Sequence, residues 1–400
     1  MTAASKSRAK LTYISAFILL FLMTSCTGFM GTDEGIENSK LNRDPHVKNE
    51  EITALANAEL AKLSRNLTTH GPNGEEPVLA SSIQLTSKDK EEVRELNLKA
   101  AISMHYMGSD WSITQVRALI KRFSELGIEV IEVTDANFKP QKQISDIEAI
   151  LKKEPDILVS IPVDVVATAP IYQKAVDQGV KIVFMNQAAV GLRPGVDYVT
   201  IVSPDDYGNA ARGAHMIARE LGGKGKVGVI YHGADFSTTS IRFMAFQDAI
   251  RLYPDISIEE AQGISGPDFK GEAEQAASGM LLRHPDLDAI WGIWDDPTEG
   301  ILAAARKSDR HDLIVTTVDL GTEVAIEMAK DGMIKGVGAQ TVYEMGVTEA
   351  TAAALAMLGK EVPIFIVMEG IATDRKNLLD VWKRVYNQDP PRELLDAYNN

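Results

Sequence analysis

LKAAISMHYMGSDWSITQVRALIKRFSELGIEVIEVT, residues 98–134, holds two short apolar runs at 100–104 and 129–134, with a helical pattern at 112–126 between them. Apolar side chains in the middle segment recur at three- and four-residue spacing, as one face of an α-helix requires, while the flanking runs suit strands. The rhythm continues along the chain. Further strand candidates lie at 156–161, 181–186, 226–231, 256–262, 289–294, 313–318 and 336–339. Helical patterns fill the gaps at 139–153, 165–178, 204–221, 238–253, 270–284, 297–307 and 322–331, and another follows at 342–358. Strands alternating with helices imply parallel sheets covered by helices on both faces. That many units exceed one sheet, and 199–204 reads as a crossing between two. We therefore expect an α/β fold of two doubly wound parallel-sheet lobes. One comprises 98–204 plus about 341–360, the other 205–340 plus about 361–372, and 373–400 is a carboxyl-terminal tail.

In such sheets ligands bind beyond the carboxyl ends of the strands, which directs attention to the residues after each run. These are 105–111, Pro162, Asn186-Gln187, 232–242, Trp294-Asp295, Asp319 and Gln340. The set is rich in aromatics, amides and carboxylates. Planar amides and carboxylates match hydroxyls that both donate and accept, and flat rings pack on apolar C–H faces. Asn186, Asp295, Asp319 and Gln340 supply the first property, and Trp111, Phe269 and Trp294 the second. Each has a plainer reading. Asp319 suits a cap for a helix near Thr322, and Asp295 or Asp296 suits a cap for the helix opened by Pro297. Trp111 suits packing at a helix start, and Gln340 a hinge. Trp291, alternating with Trp294, reads as core.

Composition narrows the classes. The chain has 400 residues and a net charge of −15, which opposes the basic footprint that nucleic acid demands. No Gly-x-Gly-x-x-Gly follows the first strand, and the seven histidines form no i, i+4 pair for zinc. Gly222-Gly223-Lys224-Gly225-Lys226 ends a helix rather than opening one, so it reads as a helix stop and not a phosphate loop. Ser237 to Ser240 lacks a hydrolase elbow. We expect no cofactor, no metal and no enzymatic chemistry.

Residues 1–25 have Lys6, Arg8 and Lys10 ahead of a 13-residue apolar run, Leu11 to Met23, too short to span a bilayer as a helix. Thr24 and Ser25 then precede Cys26, the one cysteine in the chain. The segment resembles a bacterial lipoprotein signal, which implies that Cys26 is acylated. Met23 stands where leucine is usual. Residues 26–97 read as a tether containing a short amphipathic helix at 50–67, broken by Gly71-Pro72-Asn73-Gly74.

Several short motifs carry a family resemblance over about 98–372. The stretch HPDLDAIWGIWDD at 284–296, Val318-Asp319, Gly338-Ala339-Gln340, Asp268-Phe269 and the helix start Arg242-Phe243-Met244-Ala245-Phe246 fall in order. Together they resemble periplasmic sugar-binding proteins of the ribose- and galactose-binding type, which serve ABC transporters. The resemblance implies a type I periplasmic binding protein: a two-lobe clamp crossed near Pro204, 340–342 and 360–363. It implies a monomer outside the cytoplasm, anchored by lipid, that presents a sugar or sugar-like polyol to a permease. A sensing receptor that presents ligand to a sensor kinase or chemoreceptor is the second reading. Implied ligand residues are Trp111, Asn186, Gln187, Ser240, Arg242, Phe269, Trp294, Asp295, Asp319 and Gln340. Departures bear on the ligand. Trp294 stands where the ribose pattern has asparagine, Asn186-Gln187 replaces an aspartate–arginine pair, and the loop at 108–111 lacks paired phenylalanines. Ser240 stands where an arginine is expected, with Arg242 two residues on.

Overall fold

Apolar runs that alternate with helical stretches build two sheets, each sandwiched between helices. The computed structural model describes residues 45–400 except Asp235, with side chains from Asn49 onward. In chain order the first half contains α1 (Pro45–Leu63), β1 (Val78–Leu79), α2 (Ser87–Glu95), β2 (Lys99–Met104), α3 (Asp110–Glu125) and β3 (Glu129–Asp135). It continues with α4 (Pro140–Leu151), β4 (Ile157–Ser160), α5 (Ala169–Asp177), β5 (Lys181–Met185) and β6 (Thr200–Pro204). The second half contains α6 (Asp206–Glu220), β7 (Lys224–His232), α7 (Ser237–Ile250), β8 (Asp255–Ile264), α8 (Phe269–Arg283) and β9 (Ala289–Gly292). Next come α9 (Asp295–Lys307), β10 (Ile314–Val318), α10 (Thr322–Ala329), β11 (Ile334–Gln340) and α11 (Val342–Met357). The chain closes with β12 (Phe365–Met368), β13 (Gly370–Thr373), α12 (Leu378–Tyr386) and α13 (Arg392–Asn399).

The amino-terminal lobe has a seven-stranded sheet in the order β1-β12-β6-β5-β4-β2-β3. Every neighbouring pair in it is parallel. The carboxyl-terminal lobe has six strands, β13-β11-β10-β9-β7-β8, parallel except for the pairing of β13 with β11. In the first sheet β2 lies between β3 and β4, and in the second β7 lies between β8 and β9. Strand order reverses at β2 and at β7, and loops leaving such switch points diverge to open a crevice. Central strands are buried on both faces: Ala100, Ala101, Ile102, Ser103 and Met104 of β2 are all inaccessible. Gly222 and Gly223 after α6 sit at φ 60° and 81°, which makes the segment a helix stop.

Three expectations change. From Pro45 onward the expected tether is part of the folded body. Ala56 and Leu63 of α1 are buried against Ala210, Ala214 and Ile217 of α6, and the Leu63 carbonyl accepts from Arg212 Nη2 at 2.8 Å. The backbone N–H and hydroxyl groups of Thr68 and Thr69 all donate to Asp205 Oδ1, at 2.9–3.0 Å. β1 then extends the amino-terminal sheet, and α2 is held by a Thr86–Asp89 capping box and a Lys360–Asp89 ion pair at 2.5 Å. The third crossing lies at Glu369, not 360–363, because the doubly buried run Phe365–Met368 completes the first sheet before β13 enters the second. Lastly, 373–400 is not a tail. Leu378, Val381, Trp382 and Val385 share one face of α12 and are buried in the carboxyl-terminal core with Leu394 of α13. Cys26 and the signal segment lie outside the described residues. Among those described, no helix is long and apolar enough to cross a membrane.

Candidate functional site

The loops leaving the strand ends of both sheets enclose a cavity of about 90 Å³. From the amino-terminal lobe it is lined by His105, Tyr106, Ser109, Trp111 and Ser112 after β2, Phe138 after β3, Ile161 after β4, and Asn186 after β5. From the other lobe it is lined by His232 at the end of β7, by Phe236, Thr238, Thr239 and Arg242 after it, and by Phe269 after β8. Trp294, Asp295 and Asp296 after β9 and Asp319 after β10 complete that wall. His105 stands directly beyond one switch-point strand, and His232 is the last residue of the other.

Rings form a collar that runs across the lobes. Phe138 meets Phe269 edge-on at 5.2 Å, Phe269 meets Trp294 at 5.0 Å, and His232 meets Trp294 at 5.6 Å. Edge-to-face contacts of this kind are worth about 0.5–1.5 kcal/mol each beyond area burial. His105 sits against Phe138 and Trp111, and burial holds its imidazole down to about 4, so it is neutral at physiological pH.

Charge is concentrated on the carboxyl-terminal wall. Arg242, buried on α7, donates through Nε to Asp206 Oδ1 at 2.7 Å and through Nη1 to Asp319 Oδ2 at 3.2 Å. Burial lifts Asp206 to about 6, so it stays ionised opposite Arg242 at neutral pH. Burial also raises Asp319, against the pull of Arg242. Asp295 is raised well above the ordinary carboxylate value by burial and then by the charge of Asp319. Asp319 adopts φ 67° and Asn186 φ 59°, left-handed positions that aspartate and asparagine tolerate better than most residues. Four buried polar atoms of lining residues have no partner among the described residues: His105 Nδ1, Asn186 Oδ1, Thr238 Oγ1 and Asp319 Oδ1. Buried polar atoms are normally satisfied, so these are what a bound molecule would engage.

Of the ligand residues expected from sequence, Trp111, Asn186, Arg242, Phe269, Trp294, Asp295 and Asp319 converge on the cavity. Three do not line it. Ser240 is exposed, because α7 begins at Ser237 and turns Thr238, Thr239 and Arg242 inward, which points Ser240 away. Gln187 ties lobe to lobe: its Nε2 donates to the Pro162 carbonyl at 2.9 Å and its Oε1 accepts from Ser237 Oγ at 2.8 Å. Gln340 lies behind the wall, accepting from Trp111 Nε1 at 3.0 Å. The capping alternatives also resolve. α9 starts at Asp295 with Trp294 before it, and α10 has no cap of its own. Asp110 of the opposite lobe accepts instead from the Thr322 N–H at 3.0 Å and its hydroxyl at 2.6 Å. Trp291 is core, stacked on Phe246 at 4.6 Å.

Sequence reading missed Phe138, Thr238, Thr239 and the two histidines as individual residues. The strand-end rule, extended to the run at 129–134, would have reached Phe138.

A family model described as "Periplasmic binding protein domain" matches residues 100–361. A xylitol-binding protein of Mycolicibacterium smegmatis is 23% identical over 261 residues, spanning 61% of this chain and 72% of that protein. A ribose import binding protein of Bacillus subtilis is 25% identical over 264 residues, 65% of this chain and 82% of that one. Among solved structures, a solute-binding protein of an ABC transporter from Agrobacterium vitis, bound with α-D-tagatopyranose, superposes with a TM-score of 0.67. It is 21% identical, and the match covers 73% of this chain and 100% of that one.

Proposed function

The chain belongs to the periplasmic binding protein family, and from that membership we propose that it captures a sugar or sugar-like polyol between its lobes and delivers it to an ABC transporter permease. One observation carries the choice of ligand class: four unpartnered buried polar atoms share a small cavity with a collar of aromatic rings. Hydroxyls supply the missing partners, and the C–H faces of a sugar ring pack on Trp111, Phe269 and Trp294. The relatives named for xylitol and ribose support the same class. The lobes work as a clamp. Only a ligand that touches both walls favours closure, since one that binds open and closed forms equally shifts nothing. Asn186 on one wall and Arg242, Asp295 and Asp319 on the other are the contacts that meet this condition.

Calorimetric titration of the purified full chain with pentoses, hexoses and sugar alcohols tests the reading. At least one should bind and raise the melting temperature; a folded protein that binds none of them ends it. The protein acts outside the cytoplasm as a monomer, held by an acylated Cys26. Replacing Cys26 with Ala should then move it from the membrane fraction to the soluble one, and retention in the membrane would refute the anchor.

A further inference from the structure

The charges of the cavity do not balance. Its carboxyl-terminal wall carries three carboxylates, Asp295, Asp296 and Asp319, and Arg242 is the one arginine or lysine among the described lining residues. Arg242 is already divided between Asp206 and Asp319. Asp295 is 6% exposed, its Oδ1 accepts from the Asp296 N–H at 2.9 Å, and no ion pair to it is found among the described residues. Asp319 is 7% exposed, and its Oδ1 has no partner among the described residues. The two carboxylates are neighbours: Asp295 Oδ2 lies over Gly321, two residues past Asp319, where a Cβ would stand 2.4 Å from it.

A buried carboxylate without a counter-charge is costly, and it either takes up a proton or pairs with a cation. A neutral hydroxyl donates one hydrogen and brings no charge, so it leaves this pair uncompensated. An ammonium donates three hydrogens, enough for both carboxylates, and it is attracted to ring faces. Trp294 and Phe269 stand in the same wall, with centroids 5.0 Å apart.

We propose that the ligand of this cleft is a small polyhydroxylated amine, its ammonium seated between Asp295 and Asp319 and its carbon skeleton against Phe269 and Trp294. The inference rests on the reading of the cavity as a polyol site and names the class of polyol. The groups facing the pair are Asp296 on the same helix, Asp110 from α3, Arg242 from α7, Asp206 from α6 and Tyr386 from α12. His105 and His232, both lowered by burial, add no permanent positive charge. Burial favours a shared proton on the empty pair, and an arriving ammonium displaces it.

The test titrates the full chain with D-glucosamine, D-galactosamine and 1-amino-1-deoxy-D-glucitol, each beside its neutral parent, in two buffers of different ionisation enthalpy. At least one amine should bind tenfold or more tightly than its parent, with a proton released to the buffer. In Asp295→Asn the amine-to-parent affinity ratio should fall at least tenfold, but the wild-type comparison decides even if that variant does not fold. If a neutral parent binds as tightly as its amine, the amine assignment is overturned and the polyol reading stands. If neither amines nor a wider panel of neutral sugars and sugar alcohols bind, both are overturned.

Discussion

The two walls of the cleft are chemically unlike. The amino-terminal wall offers rings, hydroxyls and an amide: His105, Tyr106, Trp111, Phe138, Ser109, Ser112 and Asn186. The carboxyl-terminal wall holds the charges, Arg242 with Asp206 and Asp319, and Asp295 and Asp296 beside them. Stripping water from two charged faces at once is expensive, and ion pairs often fail to repay it. Here one lobe has already paired Arg242 with Asp206 and Asp319 within itself, while Asp295 and Asp296 have no ion pair among the described residues. The approaching wall is largely neutral, so closure mainly covers apolar area, worth about 25 cal/mol per Å². Lobe-to-lobe ties are few and directional: Trp111 to Gln340, Ser237 to Gln187, Thr322 to Asp110, and Arg117 to the Tyr386 carbonyl.

The sharpest break is Asp319→Ala on the charged wall. It strips Arg242 of one of two carboxylates, and losing a partner from a buried pair costs about 3–5 kcal/mol. Ligand affinity measured by calorimetry should fall at least a hundredfold; a change under fivefold would mean that the charged wall does not govern binding. On the neutral wall Trp111→Ala removes a ring and the tie to Gln340 together. A weakening of ten- to a hundredfold is expected, and an effect equal to that of Asp319→Ala would erase the distinction between the walls.

Glu349 sharpens the contrast from within the amino-terminal lobe. It is buried on α11 with Gln115 Nε2 donating to it at 2.5 Å and no arginine or lysine partner among the described residues, and burial lifts it to about 8. A folded value above the unfolded one means that its stabilising contribution is complete below the ordinary carboxylate range and is lost as pH climbs through about 8. Denaturant melts should therefore show Glu349 lowering stability from pH 5 to pH 8 by on the order of 3 kcal/mol, and Glu349→Gln should remove that share of the slope. An unchanged slope would show that Glu349 is ionised in the folded protein. The smallest effect is expected from Gln187→Ala, which removes the tie to Ser237. It should weaken ligand binding by about 1 kcal/mol, roughly fivefold, with the melting of the unliganded protein less affected.

Much of this architecture was legible in local sequence. The strand–helix alternation placed both sheets, the strand-end rule found Trp111, Asn186, Arg242, Trp294, Asp295 and Asp319, and the search for flat rings and the family resemblance added Phe269. What it missed depends on helical phase or on partners distant in the chain. Ser240 and Thr238 differ only in where the first turn of α7 points. Gln187 and Gln340 are the right residue type in the right place, yet they serve the other lobe rather than the cavity. The segment 64–97 looked like a tether because its partners, Asp205 and the β12 edge, lie well over a hundred residues away, beyond the reach of spacing arguments. The face of α12, by contrast, is visible in the spacing of the apolar residues 378, 381, 382 and 385.

The threonines on Asp205 have a mechanical meaning. Besides the three passages at Pro204, Gln340 and Glu369, the chain spans the lobes a fourth time, from α1 on one to β1 on the other. Thr68 and Thr69 rivet that span beside the first passage, leaving residues 70–77 as its slack. Eight residues drawn straight reach about 28 Å, and the turn at Gly71–Glu75 takes up part of that. On the clamp reading proposed above, this strap bounds how far the lobes part, so lengthening 70–77 should widen the opening without touching either wall.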